Sequence, residues 1–403
     1  MMSRLTIGNG LLPSEFAQEL AAAPAADLAG FAAARVQIDG DRIEAVTIEN
    51  APIAGPFLDA TGCVVLPGFV DVHVHGGDGR DTMDADVEGL ATMSAFFAEH
   101  GVADYMPTTM TSPHGDILAA VRAVAQAYDR NLGGARILGV HLEGPYISPA
   151  YPGAQPPDAI REPNLEEFNE LTGAGPVRMI TLAGEQPGAI ELIKEARAQD
   201  VTVVVGHTNA TYDQCMAAFE AGASQATHTY NAMTGLHHRR PGTLGAVLST
   251  DDVYAELIAD NIHVHPAAMN ILARCKGPEH TVLITDAIRA TGMAEGEYDL
   301  GGQTVTMRDG QCRLADGTLA GSVLTMEVAL KNFMAASGWP LGKAWPTTSR
   351  TPAESVGLGD ELGSIRAGYL ADLVLLDRDL NVVATIVGGE VAYLRDEERL
   401  MGT

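Results

Sequence analysis

A short apolar run, followed by a polar turn and a helix-like segment, recurs eight times along this chain of 403 residues. Near-continuous apolar runs that alternate with amphipathic segments are typical of parallel strands covered by helices on both sides. Eight such units in succession favour a closed (β/α)8 barrel, the TIM-like α/β fold, over a doubly wound open sheet, which is the alternative architecture. The predicted strands are Val64–His75, Ala103–Thr109, Ile137–Gly144, Val177–Gly184, Val201–Thr208, Gln225–Asn231, Val253–Asp260 and Thr281–Ala287.

The two ends of the chain follow a different pattern, in which hydrophobic and polar residues alternate. Val36–Ile48 predicts a hairpin, and Leu370–Tyr393 alternates in the same way with turn residues between its runs. We expect both ends to pair into one small β-sandwich module. Its two parts would be residues 1–62 and 351–403, and the barrel would span residues 63–350.

The charge balance limits the partners that such a chain can have. The 52 acidic residues outnumber the 25 basic ones, and the formal net charge is −27. This charge repels phosphate backbones and anionic lipid, so we expect neither nucleic acid nor a membrane as a partner. Four scattered cysteines without a Cys-x-x-Cys pair, and an N-terminus that does not resemble a signal peptide, indicate a cytoplasmic protein. An anionic substrate would need a local basic pocket.

Residue types that bind metals stand at the ends of the predicted strands. The carboxyl ends of the strands of a (β/α)8 barrel face the active site. Positions i and i+2 of a strand share a face, so His73 and His75 should point the same way. The later strand ends carry His141 and Glu143, then His207, then His228 and Asn231, then Asp260 and His263, and finally Asp286.

A single histidine or carboxylate at a strand end is more often a hydrogen-bonded structural residue than a metal ligand. His, Glu or Asp residues at the ends of several strands of one barrel are harder to explain in that way, because buried charges need an opposite charge or a bound cation. Imidazole and carboxylate ligands without thiolates suit Zn²⁺, Fe²⁺ or a similar divalent metal. We therefore expect a divalent metal at the barrel mouth, where a hairpin predicted over Gly301–Gly321 could cover it.

The longer phrases around these residues resemble one family. The phrases are PGFVDVHVHGGDG (67–79), HLEGPYISP (141–149), GHTNATYDQ (206–214), THTYNAM (227–233), RRPG (239–242), LIADNIHV (257–264), LITDAIRATGM (283–293) and LAGSVLTM (319–326). They are similar to the N-acetylglucosamine-6-phosphate deacetylases of the amidohydrolase superfamily, and the resemblance runs from about Val64 to Asp377. It implies metal-dependent hydrolysis of N-acetyl-D-glucosamine 6-phosphate to D-glucosamine 6-phosphate and acetate, in amino-sugar catabolism or recycling.

The resemblance also implies roles for residues at the predicted strand ends. The ligands of the primary metal fall on Glu143, His207 and His228. The general acid and base falls on Asp286, which would take a proton from the attacking water and deliver it to the leaving nitrogen.

The first strand keeps an HxH pair that some members of this family lack. His73 and His75 therefore allow a second metal, so that each subunit would bind one or two. Many binuclear amidohydrolases bridge their metals with a carboxylated lysine on strand four. No lysine lies on the predicted strands between His75 and His207, and Glu143 is the natural carboxylate substitute.

The substrate contacts that the resemblance implies lie on loops after the strands. They fall on Ala154, Asn231, Ala232, Arg239, His263, Leu319, Ala320, Gly321 and Ser322. In the family, the arginine at the position of Arg239 reaches the phosphate in the site of a partner subunit, which implies a homodimer. Some members have histidine where this chain has Gln155, which can donate only a neutral amide hydrogen bond to the acetyl carbonyl.

Three alternatives stay open at this stage. The substrate could be N-acetylgalactosamine 6-phosphate. The chain could instead act on a cyclic amide, as dihydropyrimidinase-like or deaminase-like amidohydrolases do, although the missing lysine and the RRPG phrase argue against this. It could also be a non-catalytic barrel that has lost its metal. The retention of the ligand residues and of Asp286 argues against that third alternative.

Overall fold

The computed structural model describes residues 4–17, 30–47 and 55–402, and every structural statement below concerns these residues. The strands in chain order are β1 (Arg4–Pro13), β2 (Phe31–Asp39), β3 (Arg42–Thr47), β4 (Phe57–Asp59), β5 (Val64–Pro67), β6 (Phe69–Val74), β7 (Gly76–Gly77), β8 (Arg80–Asp81), β9 (Val102–Thr109), β10 (Arg136–Ile137), β11 (Val140–Glu143), β12 (Val177–Leu182), β13 (Thr202–Val205), β14 (Gln225–Ala226), β15 (Tyr254–Ile258), β16 (Thr281–Ile284), β17 (Gly296–Leu300), β18 (Gln303–Arg308), β19 (Gln311–Arg313), β20 (Leu373–Leu376), β21 (Val382–Val387), β22 (Glu390–Leu394) and β23 (Leu400–Met401). The helices are α1 (Ser14–Ala17), α2 (Val87–Glu99), α3 (His114–Ala127), α4 (Leu165–Ala174), α5 (Ala189–Ala198), α6 (Tyr212–Ala221), α7 (Gly242–Ser249), α8 (Pro266–His280), α9 (Met326–Ser337), α10 (Leu341–Ala344) and α11 (Arg350–Ser355).

The predicted (β/α)8 barrel is confirmed. Eight of the described strands, β6, β9, β11, β12, β13, β14, β15 and β16, pair side by side in parallel, with helices between most of them. Backbone hydrogen bonds join the ends of the first and last strands: the Asp286 amide donates to the His73 carbonyl, and the His75 amide donates to the Ala287 carbonyl, both over 2.9 Å. The carboxyl ends of all eight strands therefore surround one mouth.

The first predicted strand, Val64–His75, divides into two strands at Gly68. A Cβ atom at this position would lie 2.4 Å from the Cβ of Ala103, so only glycine allows the chain to pass this close to β9. The preceding part, β5, pairs with β1 and β20 rather than with the barrel. The terminal sheet therefore continues through Pro67, and the barrel begins at β6.

The expectation that both chain ends form one β module is confirmed. Among the described residues, strands from the N-terminal part (β1–β5) and from the C-terminal part (β20–β23) join in one sheet. The predicted hairpin is the antiparallel pair β2–β3, whose register includes Asp39 opposite Arg42, although Ile48 lies outside the described residues. No helix in the described part of the chain is long and apolar enough to cross a membrane.

The segment after β16 covers the barrel mouth, as the sequence predicts, but it contains one strand more than the expected hairpin. Strands β17, β18 and β19 form an antiparallel sheet. Leu300, Val305 and Cys312 bury its inner side against residues of the mouth. The side-chain amide of Gln303 donates to the carbonyl oxygen of Ala154 over 2.7 Å, which ties this cover to the loop that follows β11.

Candidate active site

Glu143 stands at the centre of the barrel mouth, at the end of β11. Its Oε1 atom lies 3.1 Å from Nε2 of His207 and 3.2 Å from Nε2 of His228, and these two nitrogens are 3.1 Å apart. In a tetrahedral zinc site with bonds of about 2.0–2.1 Å, neighbouring ligand atoms lie about 3.3 Å apart. The three atoms therefore have the spacing of ligands to a single ion.

A second group of ligand-type residues lies on the other side of the same carboxylate. Nε2 of His75 lies 3.1 Å from Oε2 of Glu143 and 3.4 Å from Oδ1 of Asp286. Nε2 of His73 lies 3.4 Å from Oε1 of Glu143 and 3.7 Å from Oδ1 of Asp286. The structure thus brings together two groups, His73 with His75 and Asp286, and Glu143 with His207 and His228. Glu143 lies between them, where a carboxylate could bridge two ions.

Hydrogen bonds to Nδ1 orient two of these imidazoles. Nδ1 of His207 lies 3.0 Å from the carbonyl oxygen of Tyr151, and Nδ1 of His75 lies 3.2 Å from that of Thr108. A carbonyl oxygen only accepts hydrogen bonds, so in both rings Nδ1 carries a proton and Nε2 is the nitrogen left to bind a metal ion. Such outer contacts commonly fix the tautomer of metal-binding histidines. Gly153 packs over His207, since a Cβ atom there would lie 3.1 Å from its Cε1.

Three of the residues in these two groups adopt a left-handed backbone conformation. The φ angles are +45° at His207, +26° at His228 and +48° at Asp286. Residues other than glycine rarely adopt positive φ, and they do so where the surrounding structure compensates the cost. All three stand just beyond strand ends, so the strained turns coincide with the places where these side chains enter the mouth.

The charges of the site balance one another. Burial alone would raise the pKa of Glu143, but attraction to the His73 imidazole and hydrogen bonds from the facing histidines hold that pKa well below its usual value. Burial also acts against ionisation of Asp286, yet His73 and His75 lower its pKa. Although burial opposes the charged imidazole, Asp286 and Glu143 raise the pKa of His75 to about 9. The carboxylates are therefore negative at neutral pH, and a divalent ion would replace the protons on the imidazoles.

The donor set fits a divalent metal. Imidazole nitrogens and carboxylate oxygens converge without a thiolate, which suits Zn²⁺ or Fe²⁺. Nε2 of His73 is buried and has no hydrogen-bond partner among the described residues, although it points toward two carboxylates. A buried polar atom without a partner is costly, and a metal ion would satisfy this one.

His141 belongs to neither group, although it shares a strand face with Glu143. Its Nε2 lies 2.8 Å from Oγ1 of Thr181, and its Nδ1 lies 3.3 Å from Oγ1 of Thr108. Burial and the neighbouring His73 imidazole lower the pKa of His141 well below its usual value. The ring is therefore a neutral, hydrogen-bonded part of the barrel interior, which strand periodicity alone could not distinguish from a ligand.

Gln155 contacts the central carboxylate. Its side-chain amide donates to Oε2 of Glu143 over 2.6 Å, and its Oε1 accepts from the backbone amide of Thr111 over 2.7 Å. The side chain is buried. The sequence indicates Gln155 only as a possible donor to the acetyl carbonyl, whereas the structure directs its amide toward Glu143.

A cavity of about 480 Å³ opens above these residues. Its volume lies within the range of small-molecule sites. Its walls include six of the predicted substrate-binding residues, namely Ala154, Asn231, Ala232, His263, Leu319 and Gly321. His263 is held in place by Asp260, whose Oδ2 lies 2.7 Å from its Nδ1.

Two further predicted substrate residues are buried next to this wall. Ser322 donates its hydroxyl to the carbonyl oxygen of Thr285 over 2.5 Å, and its amide donates to that of Asp286 over 2.8 Å. It therefore supports the end of β16. Ala320 is buried in the small core beneath the cover.

Arg239 is exposed on the loop before α7, outside the cavity of its own chain. It lines a neighbouring cleft of about 730 Å³, which shares Tyr151 with the cavity. Nη1 of Arg239 lies 2.7 Å from Nε2 of His238. The structure therefore brings Asn231 and His263 to the cavity, but not Arg239.

Comparison with known proteins is consistent with this geometry. The family model described as "Amidohydrolase family" matches residues 64–392. The chain is 41% identical over 347 residues to an N-acetylgalactosamine-6-phosphate deacetylase of Escherichia coli O157:H7, covering 86% of this chain and 91% of that protein. It is 38% identical over 369 residues to an N-acetylglucosamine-6-phosphate deacetylase of Bacillus subtilis (strain 168), covering 90% of this chain and 93% of that protein.

Solved structures of deacetylases share the fold of this chain. The fold matches that of an N-acetylglucosamine-6-phosphate deacetylase from Pasteurella multocida with a TM-score of 0.88 and 31% identity, covering 96% of this chain and 99% of the other. It also matches a variant of N-acetyl-D-glucosamine-6-phosphate deacetylase from Mycobacterium smegmatis in complex with N-acetyl-D-glucosamine-6-phosphate, with a TM-score of 0.86 and 34% identity, covering 97% of this chain and 99% of that one. The chain belongs to the amidohydrolase family and, within it, to the family of the N-acetylglucosamine-6-phosphate deacetylases.

Proposed function

We propose that this chain hydrolyses N-acetyl-D-glucosamine 6-phosphate to D-glucosamine 6-phosphate and acetate, as a cytoplasmic enzyme of amino-sugar catabolism or recycling. The observation that carries the proposal is the convergence of Glu143, His207, His228 and Asp286 at the base of a cavity of about 480 Å³. The names of the Bacillus subtilis relative and of the two solved structures support the choice of substrate.

Glu143, His207 and His228 would hold the primary divalent metal, Zn²⁺ or Fe²⁺, and His73 and His75 would hold a second one. Such an ion supplies Lewis-acid polarisation of the amide carbonyl and makes water acidic enough to act near neutral pH. Contacts within the chain orient the side chains that would bind the metal. The carbonyl oxygens of Tyr151 and Thr108 fix two of the imidazoles, and the Gln155 amide holds one oxygen of Glu143.

Asp286 would carry the proton. It stands in the same group as His73 and His75, and its backbone is fixed on both sides, by hydrogen bonds to His73 and from Ser322. His73 and His75 outweigh burial and lower its pKa, so it is ionised and able to accept a proton from the attacking water. Returning this proton to the sugar nitrogen as the C–N bond breaks completes the hydrolysis.

Recognition of the phosphate requires positive charge, because the chain as a whole carries a net charge of −27. His263 faces the cavity, whereas Arg239 is exposed outside it. A homodimer in which Arg239 reaches the cavity of the partner subunit would complete the phosphate site. Remote binding of the phosphate would orient the acetyl group against the attacking water.

The second candidate substrate is N-acetylgalactosamine 6-phosphate, which the name of the Escherichia coli relative at 41% identity favours. Acetate release should be measured on both sugar phosphates and on the two unphosphorylated sugars, and ring opening should be measured on a cyclic amide such as dihydrouracil. Preference for N-acetylglucosamine 6-phosphate supports the proposal. Preference for the galacto isomer would replace the substrate, and turnover of the cyclic amide alone would overturn the deacetylase assignment.

A further inference from the structure

A carboxylate lies inside the barrel, below the ligand groups, and takes no part in the proposed reaction. Glu256 is in the middle of β15, between Ala255 and Leu257, and its side chain is fully buried. Burying a carboxylate is costly unless donors surround it. Its one signal in the sequence is a glutamate within the apolar run Val253–Asp260, where a buried strand is otherwise expected to be apolar.

Four donors surround this carboxylate. Oε1 accepts from the side-chain amide of Gln225 over 2.6 Å. Oε2 accepts from the hydroxyl of Thr227 over 2.8 Å and from the backbone amide of His228 over 3.2 Å. The fourth contact, 3.0 Å from Oε2, is Nδ1 of His73.

The contact with His73 differs in kind from the other three. Gln225, Thr227 and His228 belong to β14 or directly follow it, and β14 is paired with β15, so these contacts could simply tie two adjacent strands together. His73 lies on β6, which is not paired with β15. A tie between neighbouring strands does not require this fourth contact.

We propose that Glu256 is a positioning residue that makes His73 a metal ligand. A carboxylate that receives Nδ1–H places the ring proton on Nδ1, leaves the lone pair on Nε2, and increases the basicity of that nitrogen. Nε2 of His73 is the buried atom without a hydrogen-bond partner among the described residues, and it points toward Glu143 and Asp286. This inference rests on the part of the proposed function that makes His73 a ligand.

The surroundings allow the charge to be removed without loss of the hydrogen bonds. In Glu256→Gln, the amide oxygen can still accept from Thr227, from His228 and from His73. The new NH2 group would face Gln225, whose own Oε1 is buried without a partner among the described residues, so a flip of the Gln225 amide restores a donor–acceptor pair. The variant therefore tests the negative charge next to His73 rather than the packing.

The test is a double-mutant cycle on the full-length protein, with the affinity for Zn²⁺ measured by competition with a chelator. Loss of an outer partner of a ligand typically weakens metal binding by roughly 10–100-fold, and we expect this weakening in Glu256→Gln. In the His73→Ala background the same change should have no further effect, because Glu256 acts through His73. An equal loss in both backgrounds, or wild-type affinity in Glu256→Gln, would overturn the proposal.

Two further variants separate the position of the buried charge from its mere presence. The double variant Gln225→Glu/Glu256→Gln keeps the buried charge and the total side-chain volume but moves the carboxylate away from His73. It should therefore bind Zn²⁺ as weakly as Glu256→Gln. Wild-type affinity for Zn²⁺ in this double variant would contradict the proposal. Glu327→Gln removes the carboxylate of another pair, in which Oε1 lies 2.9 Å from Nδ1 of His100, and it should leave Zn²⁺ binding unchanged. A matching loss in Glu327→Gln would contradict the proposal by pointing to a general effect of removing a carboxylate that pairs with a histidine.

The cycle also separates this inference from the proposed function. Unchanged Zn²⁺ affinity in His73→Ala would reject His73 as a ligand, and Glu256 with it. A loss in His73→Ala without a loss in Glu256→Gln would reject the inference alone. A substrate panel without deacetylation would reject the proposed reaction, while the Zn²⁺ measurements would still decide the role of Glu256.

Discussion

The backbone amide of Asp286 donates a hydrogen bond to the carbonyl oxygen of His73 over 2.9 Å. This bond joins the ends of β16 and β6, the last and first strands of the barrel. It also places the Oδ1 atom of Asp286 within 3.7 Å of Nε2 of His73. Closure of the barrel and assembly of the site therefore depend on the same contact.

The first prediction concerns the primary metal. His207→Ala removes one of three atoms that lie 3.1–3.2 Å apart, so both bound metal and acetate release should be lost. Elemental analysis and an acetate assay on the same preparation measure this. His114→Ala is the control, because His114 lies on α3 and pairs with Glu167 and Glu170 of α4. Full metal content in His207→Ala would reject the ligand assignment.

The second prediction concerns the HxH pair. After saturation with Zn²⁺ and removal of excess ion, the wild-type chain should hold more than one metal. The His73→Ala/His75→Ala variant should hold about one, because Glu143, His207 and His228 form a separate group. A wild-type protein that never exceeds one metal per chain would rule out the binuclear site.

The third prediction concerns the phosphate. Arg239→Ala should lower kcat/KM for the phosphorylated sugar by roughly 10–100-fold, the cost of losing a hydrogen bond to a charged group. The unphosphorylated sugar should be affected far less. Arg240 is the exposed neighbour that could replace Arg239 as the phosphate anchor, so Arg240→Ala shows which of the two arginines has this role. Equal losses on both sugars would mean that Arg239 has a structural role.

A complementation experiment tests whether Arg239 acts on a partner subunit. Arg239→Ala and Asp286→Asn should each be strongly impaired alone. If each site combines Asp286 of one chain with Arg239 of the other, co-expression should restore about a quarter of the wild-type sites, because half of the dimers are mixed and each has one intact site. No recovery from dimers shown to be mixed would place Arg239 in its own site.

The fourth prediction concerns stability at the junction of the barrel and the terminal sheet. Asp104 is buried, and neither of its carboxylate oxygens has a hydrogen-bond partner among the described residues. Burial, reinforced by repulsion from Asp372, raises the pKa of Asp104 well above its usual value, although Arg136 opposes the shift. The folded chain therefore holds this proton to higher pH than the unfolded chain does, and ionisation of Asp104 lowers stability as pH rises from about 4 through the folded pKa.

Asp104→Asn removes the loss of stability that comes from ionising Asp104, and it leaves Arg136 paired with Asp372. We expect the Tm of the variant to exceed that of the wild type at pH 8 and the difference to shrink as the pH is lowered toward 5. Thermal unfolding at a series of pH values measures both. A lower Tm of Asp104→Asn at pH 8 would mean that attraction between Asp104 and Arg136 outweighs the cost of burial.

Several parts of this structure follow from local patterns in the sequence. Apolar runs with intervening helical segments predict the barrel, because a parallel strand covered on both sides is apolar throughout. The i, i+2 spacing predicts that His73 and His75 share a face, and both lie in one ligand group. Alternation at the chain ends predicts the terminal sheet to which β5 also belongs.

Other parts depend on contacts between residues that are distant in the sequence. His141 has the same strand phase as Glu143 but is held by Thr181, so its role depends on which threonine faces it. The amide of Gln155 reaches Glu143 only because its loop folds back over the mouth. Glu256 contacts His73 across the barrel interior. Such contacts are set by tertiary packing, and no local pattern records them.

The measurement that tests the account most directly is made on Asp286→Asn. Asparagine is nearly isosteric with aspartate but cannot accept the proton from the attacking water, so kcat should fall by roughly 10²–10⁴-fold. Metal content should largely survive, because Glu143, His207 and His228 form a group of their own, and Tm should stay close to that of the wild type. All three quantities should be measured on one preparation. A large loss of kcat in a folded, metal-loaded protein is the predicted result, and a folded, metal-loaded variant with near-normal kcat would contradict the proposed mechanism.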